Sequence, residues 1–88
     1  GSKLVVVDFT ASWCGPCKMI KPYFDELARK HTGSVFLKVD VDANRATAQA
    51  YSVSAMPTFL FLKNSSVIDT LRGADKNRLS SKVEQYSS

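Results

Sequence analysis

With 88 residues, an apolar share of 44% and a formal net charge of +4, the chain has the makeup of one small globular domain, neither disordered nor fibrous. It holds no run of about 18 apolar residues, which excludes a membrane-spanning helix, and its N-terminus shows no secretory signal. The twelve basic residues are scattered, with Arg29-Lys30-His31 the densest group, so the positive balance marks no nucleic-acid surface. Gly1-Ser2 reads as an expression scar ahead of a single domain that fills the rest of residues 1–88.

In chain order, Leu4-Val5-Val6-Val7-Asp8-Phe9-Thr10 is a β-branched apolar run, expected to be a strand buried on both faces. From Lys18 to Lys30 the apolar residues Met19, Ile20, Tyr23, Phe24, Leu27 and Ala28 recur at helical spacing. Pro22 falls inside that helix, where its missing N–H predicts a kink, and Gly33 is the expected stop. Val35 to Val41 predicts a second strand with Val35, Leu37, Val39 and Val41 on one face. Asn44 is placed to cap a short helix reaching about Tyr51. Thr58 to Leu62 predicts a third strand, Asn64-Ser65 a tight turn, and Val67 to Leu71 a fourth strand. Gly73 breaks the chain before a last helix, about Asp75 to Tyr86, with Leu79, Val83 and Tyr86 facing inward. The order β-α-β-α-β-β-α demands a parallel pair joined by a right-handed crossover and an antiparallel hairpin.

Only two cysteines are present, at positions 14 and 17. A bridge between them closes so short a loop that it restrains the unfolded chain weakly, which makes the pair a poor staple and a reactive role the better explanation. Two cysteines cannot complete a structural zinc site, so no metal is expected. His31 is the only histidine and decorates a helix end, which argues against a Cys/His nucleophilic dyad. Asp40 and Asp42 alternate with valines and do not suggest a carboxylate pair. No glycine-rich phosphate loop exists.

Trp13-Cys14-Gly15-Pro16-Cys17-Lys18 lies between the first strand and its helix, and a CxxC beside a βαβ pattern is a known redox signature. This string, Val7-Asp8-Phe9 ahead of it, Lys38-Val39-Asp40, Met56-Pro57-Thr58-Phe59 and Arg72-Gly73-Ala74 closely resemble the thioredoxin family over nearly the whole chain. Phe61-Leu62-Lys63-Asn64 and Gly73-Ala74-Asp75 are also similar to thioredoxin domains that open larger cytosolic proteins. The resemblance implies an α/β, thioredoxin-like three-layer fold, with a four-stranded mixed sheet flanked by helices. Family members usually begin with a further strand and helix, so the strand from Val35 should form an open edge. Reduced stability, or association through that edge, is the expectation.

The resemblance further implies a dithiol reductase of protein disulfides. It would hold no bound cofactor, draw electrons from NADPH through a separate flavoprotein thioredoxin reductase, and work in the cytoplasm. Neither nucleic acid nor membrane is an expected partner. Asp8 would lie beneath the disulfide and take a proton from Cys17, with Lys38 as its partner; a purely structural Asp8–Lys38 pair is the other reading. Met56-Pro57 would carry a cis peptide bond against the disulfide. The backbone of Met56 would then pair with an extended substrate, and Trp13, Gly73 and Ala74 would complete an apolar rim. Ordinary packing is the alternative for Trp13 and Met56, and Arg72 is either a rim charge or a solvated strand end. Gly-Pro between the cysteines resembles the reducing members; an oxidase or isomerase domain and a non-catalytic docking module are the rivals.

The chemistry needs these residues at this spacing. In thiol–disulfide exchange a thiolate attacks one disulfide sulfur and a second thiol resolves the mixed disulfide. Cys14 at a helix N-terminus has free N–H groups and the helix dipole to favour its thiolate, and it should be exposed. Cys17, one turn on, should be close but sheltered. Pro16 falls in the first turn, where its missing N–H is harmless and its ring stiffens the loop beside Gly15. For a thiol whose pKa falls by about 1.5 units near neutrality, the thiolate fraction rises about 15-fold, and a Brønsted slope of about 0.45 takes back about fivefold. Intramolecular attack can have effective molarities on the order of 10⁵ M, so the proximity of Cys17 outweighs the activation of Cys14.

Overall fold

The computed structural model describes residues 3–87; Gly1 and Ser2, the expected scar, and Ser88 lie outside the described residues. Four strands and three helices follow one another as β1 (Val5–Thr10), α1 (Gly15–Lys30), β2 (Val35–Asp40), α2 (Arg45–Ala50), β3 (Thr58–Lys63), β4 (Ser66–Arg72) and α3 (Lys76–Ser87). The strands form one mixed sheet in the order β2-β1-β3-β4, with β1 parallel to β2 and antiparallel to β3, and β3 antiparallel to β4. The predicted topology is the observed one, and β2 is an edge strand.

Side-chain alternation along the sheet splits the core in two. Val6 of β1, Phe59 and Phe61 of β3 and Leu71 of β4 point to the face that carries α1 and α3. There they pack with Ile20, Phe24, Leu27, Leu79 and Val83. Phe9 and Leu60 point the other way, against Ala48 of the short α2, with Val7, Val39 and Leu62 half-buried around them. Because α2 has only six residues, it covers one end of that face, and Leu37 on the edge strand stays exposed. The face expected for Val35, Leu37 and Val39 is therefore only partly buried.

Several local expectations are corrected. The first helix begins at Gly15 and not at Lys18, and it carries Pro22 inside its 16 residues. It ends at Lys30 with His31 as C-cap, whose N–H bonds the Leu27 carbonyl, so Gly33 is not the stop. Asn44 does precede α2 but makes no capping bond; its Nδ2 donates to the Asp40 carbonyl at 3.0 Å instead, closing the β2–α2 turn. α3 is capped by Asp75, whose Oδ1 accepts from the Arg78 N–H at 3.0 Å. Asn64 and Ser65 both adopt positive φ, the geometry of a two-residue hairpin turn. Past that turn the β3–β4 register shifts between Phe61 and Leu62: Leu62 faces Val67, Phe61 faces Asp69, and Ile68 is the unpaired residue of a bulge.

Candidate active site

The site lies where β1 hands over to α1. The Cys14 N–H bonds the Ala11 carbonyl at 3.2 Å, folding the chain into a turn that delivers Cys14 as the N-cap of α1. Its Sγ accepts the Cys17 N–H at 3.1 Å, so the sulfur sits where a helix offers an unpaired donor. Pro16 occupies the first turn, where no N–H is required of it. Cys14 and Cys17 are joined by a disulfide, with their Cα atoms 5.3 Å apart.

One expectation about the pair is overturned. Cys14 was expected to be exposed and Cys17 sheltered, but each is 4% exposed. The cause is packing: Ala11 forms a small buried cluster with both cysteines, and Val41 and Met56 lie against it. In the closed disulfide, then, neither sulfur stands clear of the surface.

The proline loop reaches the same place. The Met56-Pro57 peptide bond is cis, and the Thr58 hydroxyl donates to the Ala55 carbonyl at 2.6 Å across the bend. The Pro57 carbonyl accepts the Gly73 N–H at 2.9 Å, and Gly73 has φ of +100°, a conformation that favours glycine. Ala74 follows it and shares a groove with Pro16 of the redox loop. Trp13 is exposed beside the cysteines, and its Nε1–H donates to Asp42 Oδ2 at 2.9 Å. Gly15 faces open space. The structure thus brings Trp13, Gly15, Pro16, Met56, Pro57, Gly73 and Ala74 to the disulfide end of the sheet. Arg72 is exposed at the end of β4, opposite Thr58.

Asp8 lies below, on the α1 side of β1. It is 3% exposed, and its Oδ1 has no hydrogen-bond partner among the described residues. Burial raises its pKa from 3.8 to about 6, opposed by the positive charge of Lys38 and aided by the negative charge of Asp25. Lys38 is level with Asp8 in the β1–β2 register, but it is not bonded to it. Its Nζ is 2.6 Å from Asp25 Oδ1, while Lys21 holds the other oxygen of Asp25 at 2.7 Å. Lys38 thus acts on Asp8 through its charge and not through a bond, because the Asp25 carboxylate on the helix holds its ammonium. A cavity of about 250 Å³ opens beside Asp8, Cys17, Lys38 and Lys21. Asp25 and Asp42 were missed. The Lys21–Asp25 spacing of four on a helix was a visible signal for the first; Asp42 is 29 residues from Trp13 and gave none.

A dithiol that closes across one helical turn can exchange two electrons with another disulfide, and fold and site together define a thiol–disulfide oxidoreductase. The sequence model of the family described as Thioredoxin matches residues 1–85, and the chain belongs to the thioredoxin family as a thioredoxin-type disulfide reductase. It is 51% identical over 84 residues to Thioredoxin H-type of Oryza sativa subsp. indica, covering 96% of this chain and 69% of that one. It is also 44% identical to a stretch of the Caenorhabditis elegans peptide-N(4)-(N-acetyl-beta-glucosaminyl)asparagine amidase, covering 99% of this chain and 14% of that protein. Among solved structures, Plasmodium falciparum thioredoxin superposes with a TM-score of 0.93 at 45% identity, covering 96% of this chain and 82% of that one.

Proposed function

We propose that the chain reduces protein disulfides with Cys14 as nucleophile, Cys17 as resolving thiol and Asp8 as the proton acceptor for Cys17. The Cys14 thiolate attacks one sulfur of the client disulfide; that bond breaks, one client sulfur leaves as thiolate, and a mixed disulfide forms. Cys17 then loses its proton to Asp8 and attacks Cys14, which releases the second client thiolate and closes the Cys14–Cys17 bond. A buried carboxyl with a pKa of about 6 suits a base working near neutrality. The cavity shared by Asp8 and Cys17 is roomy enough for water to relay that proton. Met56, held beside the pair by the Pro57 bend, and Gly73 offer backbone for an extended client strand, with Trp13 and Ala74 as its apolar flank. Lys38 moderates the charge at Asp8. No cofactor is bound by the chain itself; NADPH supplies electrons through a separate flavoprotein thioredoxin reductase, and the cytoplasm is the compartment whose poise suits a dithiol kept reduced.

The observation that carries this reading is the disulfide at the N-cap of α1 above a buried carboxyl with an unpartnered oxygen among the described residues. Insulin reduction with dithiothreitol as electron source tests it. The native protein should accelerate the reaction and Cys14→Ser should fall to the rate of dithiothreitol alone. Equal rates for the two would make the domain a docking module. Asp8→Asn should slow release of the mixed disulfide more than its formation; equal slowing of both steps would remove Asp8 from the proton transfer.

A further inference from the structure

Helix α1 carries more apolar surface than the core uses. Ile20, Phe24 and Leu27 pack inward, yet Met19 is 76% exposed and Tyr23 is 41% exposed, four residues apart on the outer side. Between them and the start of α3 runs a groove of about 480 Å³, lined by Pro16, Met19, Ile20, Tyr23, Ala74 and Lys76, with Asp75 at its edge. Its two ends differ. Pro16 and Ala74 belong to the redox loop and the glycine rim, so the groove opens directly from the place where a client cysteine must sit. At the far end the Lys76 ammonium lies 4.6 Å from the centroid of the Tyr23 ring and 3.3 Å from its hydroxyl, with no carboxylate bonded to it among the described residues. The nearby Asp75 carboxylate is turned to the helix cap.

From these features we infer that the groove is a client-selecting subsite. It takes a large apolar side chain that a protein disulfide substrate carries two to four residues from its reacting cysteine, with an acidic group beyond it for Lys76. The inference rests on the proposed attack by Cys14. Spacing supports it: Met19 and Tyr23 are five and nine residues along the helix from Cys14, a rise of about 7 and about 13 Å. An extended client chain, advancing about 3.3 Å per residue, covers that range in two to four residues. Methionine is unbranched and polarizable, so such a wall adapts to different apolar side chains.

Two peptides test it, each with one cysteine in mixed disulfide with 2-mercaptoethanol. One carries leucine at the third residue on each side of the cysteine, followed by glutamate; the other has alanine and glutamine there. The native protein should reduce the leucine peptide with a kcat/KM about tenfold higher, the low end of what burying such a side chain yields. Met19→Asp and Tyr23→Ser should each cut that advantage to about twofold or less, leaving the alanine peptide and a small aromatic disulfide unchanged. Equal rates on the two peptides, or an advantage that survives both substitutions, overturns the subsite. If the substitutions instead convert a sedimenting dimer to a monomer without altering peptide preference, the occupant is a second copy and the inference is wrong. Failure of the native protein on the small aromatic disulfide as well defeats the redox reading, and the subsite with it.

Discussion

Asp8 and Asp69 both project from the sheet toward the α1 and α3 layer, and the protein treats them in opposite ways. At β4, Asp69 Oδ2 accepts from Lys82 Nζ and from the Tyr86 hydroxyl, each at 2.6 Å, and Oδ1 accepts from the Thr70 N–H at 2.8 Å. Those hydrogen bonds, Lys82 first, hold its pKa down at about 2. At β1, Asp8 is more deeply buried, has an unpartnered oxygen, and its pKa is raised to about 6. One carboxylate ties α3 to the sheet. The other costs stability and stays responsive to pH near neutrality, which is where a proton acceptor must work. Placement of donors, not residue type, separates a brace from a carboxyl that titrates near neutrality.

The widest gap between the two should appear in unfolding. Asp8 binds its proton more tightly folded than unfolded, so native stability falls as pH rises from about 4 through about 6 and is flat above. Asp8→Asn should therefore stabilise the fold by about 3 kcal/mol at pH 7 and by little at pH 4, read by urea unfolding at both values. A gain of the same size at pH 4 would trace the effect to packing and erase the contrast. Next in size, Asp69→Asn should destabilise by about 2 kcal/mol at pH 7, because charge-assisted bonds are lost from a half-buried site. Its folded pKa is depressed, so that contribution is present above 3.8 and disappears as pH falls through about 2. The smallest effects concern wiring. Lys38→Met should push the Asp8 pKa above about 6, whereas Asp25→Asn should lower it by removing a negative neighbour and freeing two lysines. NMR titration of the Asp8 carboxyl carbon reads both, and shifts in the same direction would contradict the assignment.

Much of this was legible because it is local. The β-branched run of β1, the helical spacing of Ile20, Phe24 and Leu27, and a CxxC between them required no knowledge of distant residues. What was lost depended on competition between partners. Lys38 could be matched to Asp8 by strand register, but only the packed helix shows that Asp25 already holds its ammonium. Asn44 had the right identity for a cap, yet the Asp40 carbonyl was nearer to hand. Exposure of Cys14 could not be judged either, since Met56 and Val41, which cover the pair, arrive from other segments. The meeting of Pro57 with Gly73 was suggested by family resemblance alone; no local pattern links positions 16 residues apart.

Residue Ile68, unpaired in the β3–β4 ladder, works as a phase setter. Opposed residues in an antiparallel pair share a face, and one inserted residue reverses the parity of everything that follows. Because of it, Asp69 stands on the side of Phe61, toward α3, and Leu71 on the side of Phe59, in the core. Without the insertion the ladder would place Asp69 opposite Leu60 and turn Leu71 to the opposite face, away from α1 and α3. Restoring Leu71 would then draw Gly73 one step away from Pro57. A single odd residue at the far end of a hairpin thereby keeps the hydrophobic interior and the redox rim in step.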